Sequence, residues 1–348
     1  MAERVEAGAG SGERPGGGAG AGGGSDLAAR LCSPRPFPHE VVAFLYVVAG
    51  VVLLERLPVT YSRAGLVLAA WLPGSWTAVF GLVLFGLREL WRRRRGQPPP
   101  LPRRAEALLF LRAALVLVPV FSVHFLLKSF IYLVNPRTWD RFLWEADRVL
   151  HLGLSPSLLL TGLFTNGTAL AFLDIVYSNL YFLILVVSVP ALLVLPPPNR
   201  RMAFLAAYVF VWIAGSVLYL AFPSWGPVFV VSDVFAETLR HMPATVRVQA
   251  ALFGEISSLV RAPLAPRFIR LGCVAAFPSL HLAVVTVFAV GSRWVSRVWF
   301  LASLVVVLLM LIGSVVTGYH YLVDAWAGIA LGAGACVAGR KLFPDRAT

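Results

Sequence analysis

Eight apolar stretches punctuate this chain, at residues 41–57, 66–87, 105–134, 168–195, 202–222, 273–291, 298–316 and 321–338. Each is near the roughly 20 residues an α-helix needs to cross a bilayer core of about 30 Å. In lipid every backbone polar group has to be satisfied within its own crossing, so runs of this length force helices. The expected fold is therefore all-α and integral to a membrane, with about eight transmembrane helices. The residue balance agrees: 58% of the chain is hydrophobic and only 14% charged, with mean hydropathy +0.78, where soluble domains carry about 25% charged residues.

The formal net charge of +13 resides mostly in arginines between the apolar stretches. Arg88, Arg92 to Arg95, Arg103 and Arg104 separate the second and third stretches, and Arg200 and Arg201 the fourth and fifth. Arg293 and Arg297 bracket the turn between the sixth and seventh, and Arg340, Lys341 and Arg346 follow the eighth. Eight crossings put all four clusters on one side, which the positive-inside rule makes cytoplasmic, together with both termini. Basic charge split among spans in this way argues against a nucleic-acid partner. Residues 1–38 are expected to be a disordered Gly/Ala-rich cytoplasmic tail, because such a composition buries no core. Residues 39–104 then hold two accessory spans and an Arg-rich loop, 105–340 the membrane core, and 341–348 a short cytoplasmic tail. The N-terminus has no apolar signal-peptide region, so the first span is expected to serve as its own insertion signal. Cys32, Cys273 and Cys336 form no disulfide framework.

The loops 135–167 and 223–272 fall on the opposite, extracytoplasmic side. In the first, Trp139, Phe142, Leu143, Ala146, Val149 and Leu150 recur at three- and four-residue steps among Asp140, Arg141, Glu145, Asp147 and Arg148. That period predicts an amphipathic helix, lying in the membrane interface or packed on the bundle.

Ionisable groups at the edge of apolar spans are costly and mark function by default. His281 opens the sixth stretch, and His320 and Asp324 open the eighth. The histidines are 39 residues apart, about 58 Å of helix or two crossings, which returns both to one membrane face. Residues i and i+4 share a helix face, so Asp324 can sit beside His320. A carboxylate bonded to one ring nitrogen fixes the tautomer and frees the other nitrogen to attack. A second histidine opposite can protonate a leaving alkoxide and then activate an incoming hydroxyl or water. Pro278-Ser279 sets a helix start before His281, where free amides can hold phosphate oxygens. Gly318 permits close backbone approach. Zinc is the rival chemistry for two histidines and an aspartate, but no further His, Cys or acid is tied to them by spacing. No metal or other cofactor is expected.

Phe277-Pro278-Ser279-Leu280-His281 and His320-Tyr321-x-x-Asp324, followed by Ala327-Gly328, resemble the second and third signature motifs of the type 2 phosphatidic acid phosphatase superfamily. Within it the chain is most similar to the inositol phosphorylceramide synthase branch, and more distantly to sphingomyelin synthase. Phe222 to Pro227 resembles that branch's Pro-rich first motif, and Leu143-x-x-x-Asp147-Arg148-x-Leu150, with Gly153 and Pro156, is also similar to it. The resemblance spans roughly residues 105–338. It implies a six-helix core, which the first two apolar stretches precede from outside the resemblance, a phosphohistidine at His320, Asp324 orienting that ring, His281 as acid and base, and no metal. The chain departs from the phosphatase pattern in two places. The basic first motif is absent, and Gly313-Ser314 stands where an arginine is expected before His320.

Phosphate binding is thereby left to other groups. Lys128, Arg261, Arg267 and Arg270 are candidates, arginine for its bidentate fork. Ser279, Tyr319 and Tyr321 border the histidines, and Trp225 is placed to line a lipid portal. Asp174 and His124, near outer span ends, are expected to make buried hydrogen bonds, with a headgroup or acceptor contact as the alternative. The expected activity is transfer of a phospho-headgroup, phosphoinositol-like, from a membrane phospholipid to a lipid alcohol such as ceramide. Hydrolysis of a lipid phosphate or diphosphate is the alternative on the same fold. A non-catalytic scaffold or lipid carrier would have no need of the His–His–Asp set.

Overall fold

The structure is a computed structural model that describes residues 22–59, 63–262 and 274–345. All regular structure in these residues is helical. Among the described residues six helices are long and apolar enough to cross a membrane: Pro38–Glu55, Arg103–Ser129, Gly167–Val194, Pro198–Ala221, Arg297–Val316 and Leu322–Leu342. Two of the eight expected crossings fall outside that set. Arg63–Arg94 is one continuous helix of 32 residues that runs into the arginine cluster. Leu280–Ser292 is apolar but only 13 residues long.

That helix is shorter than the apolar stretch 273–291 expected for a crossing. Pro278 has no amide to give to a helical ladder. The amides of Ala276 and Phe277 are drawn sideways to the carbonyl and hydroxyl of Ser224, at 3.0 and 2.9 Å. The helix therefore starts only at Leu280, capped by Ser279, whose Oγ accepts from the Leu282 amide.

Three helices form the middle of the bundle. Leu322–Leu342 packs against both Pro198–Ala221 and Leu280–Ser292, and the latter also against Arg297–Val316. The contact is at backbone level. A Cβ on Gly328 would overlap the carbonyl oxygen of Ser279, and one on Gly332 that of Ala283. Without a hydrophobic drive between helices in lipid, such small-residue seams allow the close van der Waals packing that holds them together.

Residues 22–38, assigned above to a disordered tail, contain a helix at Gly22–Cys32. Leu27, Ala28 and Leu31 form a stripe on it that is buried with Phe37, Leu101, Leu109, Met202 and Phe343. The glycine and alanine around this stripe dilute it below what composition reveals. At the arginine-rich end, buried Glu106 receives hydrogen bonds from Arg88 at 2.8 Å and from fully buried Arg201 at 2.6 Å. A buried carboxylate needs such pairing, because an isolated charge in a low-dielectric interior is strongly unfavourable.

Candidate active site

At the other end of the bundle the two histidine segments meet. The His281 and His320 rings lie 6.0 Å apart between centroids. His320 is buried just ahead of the last helix, and its amide is anchored on the Ser314 carbonyl at 3.1 Å. Ser314 is thus a backbone anchor for His320 at the place where the phosphatase pattern has an arginine. Gly318, at φ +75°, turns the chain into this segment, and its carbonyl accepts from the Val228 amide at 2.9 Å. Its left-handed conformation is open to glycine at no steric cost.

The Nδ1 of His320 is 2.8 Å from the Ala276 carbonyl oxygen and 3.5 Å from Oδ2 of Asp324. A carbonyl only accepts, so Nδ1 carries the proton and Nε2 has the free lone pair. The expectation that Asp324 orients the ring is thus refined: the nearer acceptor is Ala276. Asp324 is fully buried, and its Oδ2 also accepts from the Tyr321 amide at 3.0 Å.

His281 sits one residue inside the short helix, walled by two tyrosines the sequence reading passed over. The Tyr181 ring centroid is 4.3 Å from that of His281, and the Tyr177 hydroxyl is 3.4 Å from its Nδ1. Tyr177 lies in a π-helical turn, Val176–Leu180, inside the Gly167–Val194 span, and Tyr181 follows directly on it. Such turns re-aim side chains and are frequent at functional sites. The signal was present as Tyr177-Ser178-Asn179-Leu180-Tyr181, two tyrosines around two polar residues within an apolar run.

The remaining candidates divide by location. Tyr319 stacks on Tyr177 at 5.6 Å, and its buried hydroxyl has no partner among the described residues. The Ser279 hydroxyl is taken up as the helix cap, and the Tyr321 hydroxyl donates to Asp140 at 3.0 Å, so both brace the site from behind. Lys128 lies beside the site: its Nζ is 6.0 Å from the ring of Tyr219, whose hydroxyl bonds the backbone of Leu280 next to His281. Trp225 stacks on Tyr132 at 4.5 Å in a cluster with Ile256 and Val274. Arg261 ends the helix Pro243–Arg261 in an exposed position. Arg267, Arg270 and Cys273 lie outside the described residues.

Asp174 and His124 have the structural roles expected of them. Asp174 accepts from the Ala244 and Thr245 amides at 2.8 and 2.7 Å, capping the Pro243–Arg261 helix. His124 bonds Ser216, which also receives the Tyr46 hydroxyl. Among the described residues no cluster of three or more His, Cys, Asp or Glu side chains has the arrangement of a metal site.

This geometry supplies an imidazole with a fixed tautomer and a free Nε2 lone pair, a second imidazole 6.0 Å away between centroids, and aromatic walls. The family model of the PAP2 superfamily matches residues 141–338, more than half of the chain. The chain belongs to the PAP2 superfamily. The match takes in both histidine segments and the five apolar helices from Gly167 onward. It begins after the Arg103–Ser129 helix, so the sixth helix of the expected core and those before it lie outside the matched region. Comparison with curated proteins and with solved structures finds no match. Membership of the PAP2 superfamily gives this protein phosphoester chemistry as its general setting, and the apolar helices give it a membrane.

Proposed function

We propose that this PAP2-superfamily protein transfers a phosphoryl-containing headgroup from a membrane phospholipid to a lipid alcohol through a phosphohistidine at His320. The observation that carries the reading is the pairing of His320, its Nδ1 committed to the Ala276 carbonyl, with His281 at 6.0 Å. In the first step Nε2 of His320 attacks phosphorus, the bond to the diacylglycerol oxygen breaks, and His281 gives that oxygen its proton. In the second His281 takes the proton of the acceptor hydroxyl, whose oxygen attacks phosphorus as the N–P bond breaks. Asp324, 3.5 Å from Nδ1, stabilises the positive charge that the attacking ring gathers. Lys128 and the free hydroxyl of Tyr319 are the groups we assign to the phosphate oxygens.

The transfer reading, and the inositol phosphorylceramide synthase branch within the superfamily, rest on the missing basic motif and on Ser314 at the expected arginine position. The reaction requires that water be kept from the phosphoenzyme until an alcohol arrives, which a site reached laterally from lipid does. The deciding experiment incubates the purified protein with a labelled phospholipid panel, with and without ceramide, and reads products by mass spectrometry. Donor consumption is expected to be slow alone and to rise several-fold with the acceptor, since a positioned hydroxyl gains up to about 7–11 kcal/mol over bulk water. Equal breakdown with every acceptor, giving only hydrolysis products, would make the protein a lipid phosphatase or phospholipase instead.

We also propose eight crossings, with Arg63–Arg94 and Leu280–Ser292 among them, the termini cytoplasmic and the histidines extracytoplasmic. Single cysteines at Gln97 and Ala244 in a cysteine-free background should then react with an impermeant reagent from opposite sides. Reaction of both from outside contradicts this topology.

A further inference from the structure

Asp140 and Asp147 stand seven residues apart on the helix Asp140–Leu150, two turns and about 10.5 Å along one face. The helix turns its acids, not its apolar stripe, to the bundle. Phe142, Val149 and Leu150 are exposed, whereas both carboxylates are buried, with Leu143 between them. Burial raises both carboxyls above the ordinary aspartate range, against the pull of the amides that bond them.

Every hydrogen bond these carboxylates receive from another element leads to a histidine segment. Asp147 accepts from the Leu322 and Val323 amides at 2.9 and 2.7 Å, the opening amides of the last helix. A carboxylate there satisfies orphan donors and meets the positive end of the helix dipole. Asp140 accepts from the Tyr321 hydroxyl at 3.0 Å, and from the Trp225 and Gly226 amides at 3.0 and 2.9 Å. Ser224, next to Trp225, holds the amides of Ala276 and Phe277. Asp140 is therefore tied to His320 through Tyr321, and through Trp225 and Ser224 to Ala276, the residue whose carbonyl takes the His320 Nδ1.

We propose that Asp140 and Asp147 are positioning residues for the His320 nucleophile, holding residues 320–324 and the Ala276 carbonyl in one register. The inference rests on the reading of His320 given above. It assigns the interfacial helix a part in the chemistry although none of its side chains touches the reacting groups. An asparagine in place of either aspartate keeps the size but turns one oxygen into a donor facing donors. A misplacement of the order of 1 Å costs about 10²-fold in rate, so a tenfold or greater fall is expected.

The test uses the full chain in lipid nanodiscs with Asp140→Asn, Asp147→Asn and the milder Tyr321→Phe, which stays informative if an aspartate variant fails to fold. We expect kcat to fall at least tenfold in both aspartate variants and less in Tyr321→Phe, with KM within twofold of the parent. Asp140→Asn combined with Tyr321→Phe should be no slower than Asp140→Asn alone, the mark of a shared interaction. Amide hydrogen exchange over residues 318–324 should quicken in Asp147→Asn, a readout that needs no turnover. If the parent forms no phosphohistidine, the functional reading fails and exchange alone decides the positioning role. Unchanged exchange there, or a lowered unfolding midpoint with kcat unaltered, overturns the proposal.

Discussion

His320→Ala is expected to leave no measurable turnover, whereas His281→Ala is expected to retain a trace. The two histidines differ in what is lost. Without the His320 imidazole no N–P bond forms, so the covalent route is closed. Without His281 the leaving alkoxide has to find its proton in water, a loss of about 10²–10⁴ in rate. Neither change should unfold the protein. The His320 backbone remains anchored on Ser314, and His281 lies on a helix that Ser279 still caps. Acid-labile label from a phosphorus-labelled donor should appear on the parent and be absent from His320→Ala. Robust activity in purified His320→Ala would refute the covalent mechanism.

Gly328→Val is expected to be nearly as damaging, for a reason that involves no chemistry. The Cβ it adds meets the Ser279 carbonyl oxygen, a backbone atom that cannot rotate away. The last helix and the Leu280–Ser292 helix would have to separate, and Ser279 lies two residues before His281. Overpacking of this kind costs about 1–3 kcal/mol, occasionally more. We expect a lower unfolding midpoint in detergent together with an activity loss of at least tenfold, since parting these helices also parts the histidines. Gly334→Val serves as the control. It lies on the same helix with open space where its Cβ would go, and should behave as the parent does. A parent-like Gly328→Val would mean that the seam does not set the site.

The histidine pair was legible because 39 residues are enough for two successive helices that return the chain to its starting level, and because a carboxylate four residues after His320 has one helical face to share. Both are consequences of helix geometry, which sequence spacing reports directly. The short Leu280–Ser292 helix was not legible. Hydropathy sees Val274, Ala275 and Ala276 as more of the same span, and nothing local announces that Ser224, some 50 residues earlier, takes the amides of Ala276 and Phe277. The part played by the acids of the interfacial helix was hidden for a related reason. Apolar periodicity groups Phe142 and Val149 on one face without saying what that face meets, and it does not report the amides at residues 225, 226, 322 and 323 that Asp140 and Asp147 turn to meet. Tertiary hydrogen bonding outweighed amphipathic pattern. The helix Gly22–Cys32 escaped because three buried residues in a Gly/Ala background barely change its composition.

The length of the His281 helix also fixes a depth. Thirteen residues rise about 20 Å, some 10 Å short of the hydrocarbon thickness. In the proposed topology Arg293, beyond its far end, lies at the cytoplasmic boundary, and His281 is then sunk by that difference beneath the opposite one. A water-soluble phosphoester would have to shed its hydration shell to descend there. A lipid already has its acyl chains at that level and needs only to bring its headgroup down and sideways. Under the proposed function, selection against small polar substrates becomes a matter of altitude, set by where one helix begins.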